Sequence, residues 1–241
     1  MKIIHTSDWH LGHQLHGYNR EYEHQAFLSK TLPNLDVVMI GGNHDSPSKL
    51  DAPHELLKAF DLMLVPITNK EQQIAAYVLA VPFLRSADLR TDNLDENDDR
   101  LIKGVEVLYS EMTQAARKLL TPEQAMIGMG HAYMASGQLS EMSERRVLGG
   151  NQHALPASIF ADDMSYVALG HLHLAQKVAK KEHVRYSGSP IPLSMSERNY
   201  KHQILAVELD GNEVTAIDEI NIPRSVDMLK VPAKPARNSH F

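Results

Sequence analysis

Five histidines in this sequence stand in four short clusters, each at the end of an apolar run. The runs read Ile3-Ile4-His5-Thr6-Ser7-Asp8-Trp9-His10, Val37-Val38-Met39-Ile40-Gly41-Gly42-Asn43-His44-Asp45, Met126-Ile127-Gly128-Met129-Gly130-His131 and Tyr166-Val167-Ala168-Leu169-Gly170-His171-Leu172-His173. Imidazole, carboxylate and amide groups without sulfur suit manganese, iron or zinc, and two such ions about 3.5–4 Å apart make a clamp for phosphoryl chemistry. Two divalent cations neutralise a phosphodiester, generate a nucleophile from water near neutral pH and align it for in-line attack on phosphorus. His10, His44, His131, His171 and His173 therefore read as one joint metal site, with hydrolysis of phosphate esters as the leading reaction class.

Spacing inside the clusters sharpens the expectation. Asp8 with His10, and His171 with His173, stand two apart, which in extended chain puts both side chains on one side, so each pair could grip one ion. Glycine precedes a ligand at Gly42, Gly130 and Gly170, and a residue without a side chain lets the backbone turn sharply as it leaves a strand. The other histidines in the set His5, His13, His24, His54, His153, His183, His202 and His240 read as surface or hydrogen-bonded core residues.

The elements that must position these clusters form an α/β pattern of short β-branched runs alternating with helical stretches. Helices are expected at Glu21 to Leu32, Asp51 to Phe60 and Asp98 to Leu120, the last with Leu101, Ile102, Val105, Leu108, Met112 and Leu119 at helical spacing. Its acidic lead-in, Asp95, Glu96, Asp98 and Asp99, suits a helix amino terminus. Strands are expected at Lys2 to Thr6, Val37 to Ile40, Leu62 to Ile67, Ala75 to Val81, Ala125 to Gly128, Tyr166 to Leu169, Lys177 to Ser187, Gln203 to Leu209 and Glu213 to Ile217. Asp210-Gly211-Asn212 is the turn of a hairpin. In open α/β sheets ligands bind beyond the carboxyl ends of the strands, so four clusters at four such ends would converge.

Composition narrows the remaining classes. The chain has 241 residues, 43% of them hydrophobic and 22% charged, and its 14 histidines are the one residue type in clear excess. Its 24 lysines and arginines against 30 acidic residues give a net charge of −6, so any polyanion binding has to be local. The absence of cysteine excludes disulfides, thiolate catalysis and sulfur-ligated metal. The apolar stretch Tyr77 to Leu84 contains a proline and its run is far short of the roughly 20 residues of a membrane helix, and no secretory signal is expected at the start. A cytoplasmic protein without membrane contact is the expectation.

The order Asp-x-His, Gly-Asn-His-Asp, Gly-His and Gly-His-x-His resembles the calcineurin-like metallophosphoesterase superfamily. The flanks His5 to Gly12, Glu23 to Leu28, Val81 to Arg85 and His183 to Ser194 are closer still to its bacterial SbcD branch, related to Mre11, and the resemblance runs from residue 2 to about residue 222. It implies a two-sheet sandwich flanked by helices, a nuclease domain at 1–222, and a Pro-rich basic linker or start of a truncated capping region at 223–241. It further implies that Asp8, His10 and His173 hold one ion and Asn43, His131 and His171 the other, most often Mn2+, with His44 as the catalytic histidine. Beside this, His44 neighbours Asn43 on one turn, and Asp45 follows as a possible orienting carboxylate or a simple turn cap.

One departure stands out. The family's bridging ligand is an aspartate in a Gly-Asp-x-x-Asp motif, and none of the 13 glycines here precedes an aspartate. The interval from Leu28 to Asp36 is too short for the strand and helix the family places there, leaving Asp8 as the one clear anionic ligand. Either residues that carry the bridge are missing from this sequence, or the site has lost it; the intactness of the other clusters favours the first.

By resemblance the protein would be a manganese-dependent DNA nuclease, a double-strand exonuclease and single-strand or hairpin endonuclease. It would be dimeric and paired with an SbcC-like ATPase. Lys177, Lys180, Lys181, His183 and Arg185 concentrate charge in one hairpin that either contacts phosphates or is a solvated face. Leu11 to Tyr18, with His13 and His16, either touches a DNA end or is a plain loop. A phosphoesterase acting on cyclic nucleotides or small esters, and a DNA-end scaffold with a decayed site, are the competing readings.

Overall fold

The computed structural model of the chain describes residues 1–31, 37–44, 63–85, 88–89, 100–135, 137–138 and 154–230. The expected helix Asp51–Phe60, the acidic run Asp95–Asp99, Asp45, His54, His153, His240 and the end of the basic tail lie outside them. In chain order the elements are β1 (Lys2–His5), β2 (Gln14–Leu15), β3 (Tyr18–Asn19), α1 (Glu21–Thr31), β4 (Leu64–Thr68), β5 (Ile74–Ala80) and α2 (Arg100–Leu119). They continue with β6 (Ala125–His131), β7 (Tyr166–Gly170), β8 (Gln176–Val178), β9 (Lys181–Tyr186), β10 (Gln203–Asp210) and β11 (Glu213–Asn221).

Two larger sheets pack face to face. One is antiparallel in the order β1-β10-β11; the other is mixed, in the order β4-β5-β6-β7-β9-β8, with β5, β6, β7 and β9 mutually parallel. Period-two alternation sends Ala76, Val78, Ala125, Ile127, Tyr166 and Ala168 from the mixed sheet against Val207 and Leu209 from the antiparallel one, with Ile3 and Val214 at the margin. The opposite face of the mixed sheet, through Leu79, Met126, Val167, Leu169 and Val184, packs on α2. Strand β7 is buried along its whole length, as a continuous apolar run covered on both faces should be.

Helix α2 contributes Val105, Tyr109, Met112 and Ala116, spaced four, three and four apart, to this second core. Full burial of each large side chain there contributes about 1.5–3 kcal/mol. Leu119, expected on the same stripe, is 52% exposed at the helix's last position, where Ala116 and Leu120 take over the packing. Helix α1 lies against the outer face of the antiparallel sheet, where Ala26 and Phe27 line a cleft with Ile4, Ile204 and Ile220. Asn19 Oδ1 accepts the Glu21 N–H at 2.7 Å to start the helix, and a buried Arg20–Glu23 pair fixes its first turn to the Pro192 carbonyl.

The strand expected at Val37–Ile40 is absent: these residues have no regular secondary structure. A β-branched run becomes a strand only when a ladder partner satisfies its backbone. Here Val38 packs into the inter-sheet core, and the Gly41 carbonyl accepts the Phe83 N–H at 2.8 Å. The strand region Lys177–Ser187, also read as a basic hairpin, forms β8 and β9 in a tight hairpin, with Ala179 and Lys180 at φ 49° and 60°. The hairpin at Asp210–Asn212 forms as expected between β10 and β11.

Candidate metal centre

Chain leaving the carboxyl ends of β1, β6, β7 and β9 meets in one place, and Asn43 and His44, which follow the non-strand run Val37–Ile40, join it there. Chain leaving β1 carries Asp8 and His10, β6 ends on His131, and chain leaving β7 carries His171 and His173. Ligand atoms of Asp8, His10 and His173 lie within 4.8 Å of one another. Ligands about 2.0–2.2 Å from a shared ion fill that compass with at most a small contraction.

A second group adjoins the first. His131 Nε2 is 2.9 Å from Asn43 Oδ1, and its ring centroid is 5.3 Å from that of His171. The His10 ring stands 5.1 Å from His173 and 4.6 Å from His44, which is exposed at the rim. Asp8 ties the groups together: the His171 N–H lies 3.0 Å from both of its carboxylate oxygens, and the Ser7 hydroxyl donates to Oδ2 at 2.9 Å.

Two expectations about local geometry are corrected here. His171 and His173 do not share a side: His173 joins Asp8 and His10, whereas His171 turns to His131. Two-residue alternation needs extended backbone, but His171 has φ 110°, and Leu172 between the pair is fully buried. Asp8 and His10, at φ 53° and 47°, likewise converge through left-handed backbone rather than strand geometry. Non-glycine residues held there carry strain of order 1–3 kcal/mol each, which clusters at functional sites.

Gly42, Gly130 and Gly170 do not make sharp left-handed turns, and Gly130 and Gly170 lie inside strands. They make room instead. A Cβ on Gly42 would stand 2.8 Å from His131 Cε1, one on Gly170 3.0 Å from His131 Nδ1, and one on Gly130 2.5 Å from the Tyr109 hydroxyl.

Electrostatics prepares the donors. Burial drives the His10 imidazole down to about 3, with His173 adding to the effect, and drives His171 down to about 4, with His131 adding. Both rings are neutral near pH 7, the form in which imidazole binds a cation. Burial pulls the Asp8 carboxyl upward, but His131, His173, His10 and the Ser7 hydroxyl outweigh it and leave it below the usual carboxylate range. The Ser7 hydroxyl and the His171 N–H also hydrogen-bond the carboxylate directly.

The remaining described histidines are held elsewhere. His5 meets the Tyr166 hydroxyl and the Leu169 carbonyl in the buried seam between the sheets, His24 donates to the Trp9 carbonyl, His13 to the Leu193 carbonyl, and His202 meets the Ser189 carbonyl. His183 is half-buried. In the basic hairpin Lys177 and Arg185 pair with Glu182, Arg185 also with Glu219, and Lys181 with Asp162, so most of its charge is already engaged. Residues 14–19 form a small hairpin turning at His16-Gly17, with φ 50° and 83°, which leaves Tyr18 77% exposed.

Sequence reasoning missed the residues behind the ligands. Ser187 bonds Ser7 at 2.9 Å, Tyr186 donates to the Ala132 carbonyl at 2.6 Å and accepts the Met134 N–H at 3.0 Å, and Glu197 meets His173 Nδ1 at 2.9 Å. The one available signal was the segment Tyr186-Ser187-Gly188-Ser189-Pro190, which has no ligand-type residue.

No family model matches the chain. The SbcD component of the SbcCD nuclease of Rhodobacter capsulatus is 32% identical to it over 296 aligned positions, which cover 97% of this chain and 72% of the relative. The corresponding SbcD protein of Escherichia coli is 29% identical over 276 positions (92% and 68%), and that of Bacillus subtilis 27% over 285 (95% and 72%). Setting 296 aligned positions against 241 residues leaves at least 55 positions of the first relative without a counterpart, so it carries internal stretches that this chain lacks.

Proposed function

Because the chain belongs to the SbcD family of SbcD/Mre11-like nucleases, we propose that it is a manganese-dependent DNA nuclease subunit. It would act as a double-strand exonuclease and single-strand or hairpin endonuclease in DNA end processing, as a cytoplasmic homodimer with an SbcC-like ATPase. Residues 1–222 would be the nuclease domain and 223–241 a basic linker. Among the described residues no helix is long and apolar enough to cross a membrane.

The observation that carries the reading is the convergence of Asp8, His10 and His173 within 4.8 Å, beside His131, Asn43 and His171. The donor set fits divalent cations: one ionised carboxylate, an amide oxygen, and imidazoles of which His10 and His171 are neutral at pH 7. Asp8, His10 and His173 would hold one ion and Asn43, His131 and His171 the other. Bound there, the pair supplies charge neutralisation for the phosphodiester and a nucleophile from water.

The chain's own groups do the rest. His44, exposed at the rim and 4.6 Å ring to ring from His10, can reach a bound phosphodiester and carry a proton to the departing oxygen. Ser7 and the His171 N–H hold Asp8 by its oxygens, so the carboxylate does not reorganise when substrate arrives. The β2–β3 hairpin with Tyr18 would meet the DNA end, since an exposed ring offers a base a stacking surface.

A second reading, a phosphoesterase for cyclic nucleotides or small esters, draws support from the engaged charges of the β8–β9 hairpin, which leave little there for a DNA backbone. Cleavage of a linear duplex and of a chromogenic phosphodiester, each with manganese and with chelator, separates the two. Manganese-dependent duplex degradation is the expected result. Diester cleavage alone favours the small substrate, and neither activity in a chain that binds manganese leaves a non-enzymatic DNA-end scaffold.

A further inference from the structure

We infer that Glu197 is a positioning residue of this centre: through His173 it sets which imidazole nitrogen faces the ion, and it brings a second buried negative charge to a site whose converging trio has Asp8 as its only carboxylate. The inference rests on the metal-centre reading above.

His173 Nδ1 lies 2.9 Å from Glu197 Oε1, with His173 5% and Glu197 0% exposed. An imidazole that donates from Nδ1 to a carboxylate carries its lone pair on Nε2, and the carboxylate both fixes the ring plane and makes that nitrogen a stronger donor. Glu197 is itself held. Its Oε2 accepts the Leu193 N–H at 2.8 Å and the Ser189 hydroxyl at 3.5 Å, and Ser194 Oγ reaches Oε1 at 3.4 Å. A carboxylate fixed from both oxygens cannot swing away from the ring.

The chain path explains how this glutamate arrives under a ligand 24 positions away. After β9 the backbone passes close to the loop that carries His173, with the Ser189 N–H donating to the His173 carbonyl at 3.1 Å. Only glycine permits that approach at Gly188, which has φ 77° and where a Cβ would stand 2.7 Å from the His173 oxygen and 2.8 Å from the Ala175 nitrogen. The same segment supports Asp8 through Ser187 and Ser7. One stretch, Ser187 to Glu197, thus backs two of the three converging ligands. Among the described residues Asp8 is the one carboxylate of the converging trio, so a second carboxylate one imidazole away adds to the negative charge close to it.

The test is titration of Mn2+ into the metal-free full chain, wild type against Glu197→Gln, with thermal melting of both in the absence of metal. Glu197→Gln keeps the size of the side chain and removes its charge. The expected result is a 10–100-fold weaker Mn2+ affinity with the metal-free melting transition little changed. Equal affinity overturns the inference, and a wild type that binds no Mn2+ overturns the centre itself and the inference with it. Should the variant not fold, imidazole 15N spectra of the wild-type metal-free chain decide: His173 must appear as the Nδ1–H tautomer with a protected, downfield proton. An Nε2–H tautomer removes the proposed role.

Discussion

Asp8 and His171 are 163 positions apart, yet a single backbone N–H of His171 lies 3.0 Å from each carboxylate oxygen of Asp8. The contact joins the end of β1 in the antiparallel sheet to the end of β7 in the mixed sheet. The candidate metal centre is therefore built on the seam between two sheets, and its geometry depends on how they dock.

Removing the carboxylate at that seam should act on metal binding before it acts on turnover. Asp8→Ala is expected to weaken Mn2+ affinity by roughly 100-fold or more, beyond what loss of a supporting group costs. Calorimetric titration measures this directly, and full manganese occupancy in the variant would remove Asp8 from the ligand set.

His44 should behave in the opposite way. It is exposed at the rim, so His44→Ala should lower cleavage of duplex DNA by roughly 10²–10⁴-fold, the range for loss of a general acid, while bound metal stays unchanged. Metal content and single-turnover rates on the same sample separate the roles; loss of metal would make His44 a ligand.

Acid should destabilise the metal-free chain through its buried neutral histidines. His5, between the sheets, is driven by burial to about 4 from the ordinary 6.5. Between those values the unfolded chain binds a proton that the folded chain refuses, so this stability is complete above pH 6.5 and is lost as pH falls toward 4. For one group the steepest slope is about 1.4 kcal/mol per pH unit. Urea unfolding from pH 7 to 4.5 should show a shallower decline for His5→Gln than for wild type; parallel curves would contradict the burial argument.

Gly130 should tolerate a methyl group only if its neighbour gives way. A Cβ there would meet the Tyr109 hydroxyl at 2.5 Å, and that hydroxyl donates to the Met129 carbonyl at 2.8 Å. Gly130→Ala is expected to cost about 1–3 kcal/mol, and clearly less in a Tyr109→Phe background, where the obstructing oxygen is gone. Equal costs in the two backgrounds would show that the strain lies elsewhere.

Much of the fold was legible because it is written in local periods. The stripe Val105, Met112 marked α2, short β-branched runs marked β10 and β11, and the turn Asp210-Gly211-Asn212 joined them as foreseen. Val37–Ile40 misled because a strand is a property of two segments, and the composition of one cannot report whether a ladder partner exists. Leu119 kept its place in the period but fell at the helix's last position, where it stands exposed.

The sequence by itself marked Asp8, His10, Asn43, His131, His171 and His173 as candidate ligands, since they stand out by donor type after apolar runs. Their spacing paired His171 with His173, whereas the family resemblance placed His173 with Asp8 and His10; the tertiary structure decided between the two, with His173 beside Asp8 and His10, and His171 beside His131. It also revealed Ser7, Ser187 and Glu197 behind them. The reason is physical: donor chemistry and dihedral preference are properties of a residue and its near neighbours. The approach of groups more than a hundred positions apart is set by the packing of one sheet on another, which no local pattern encodes.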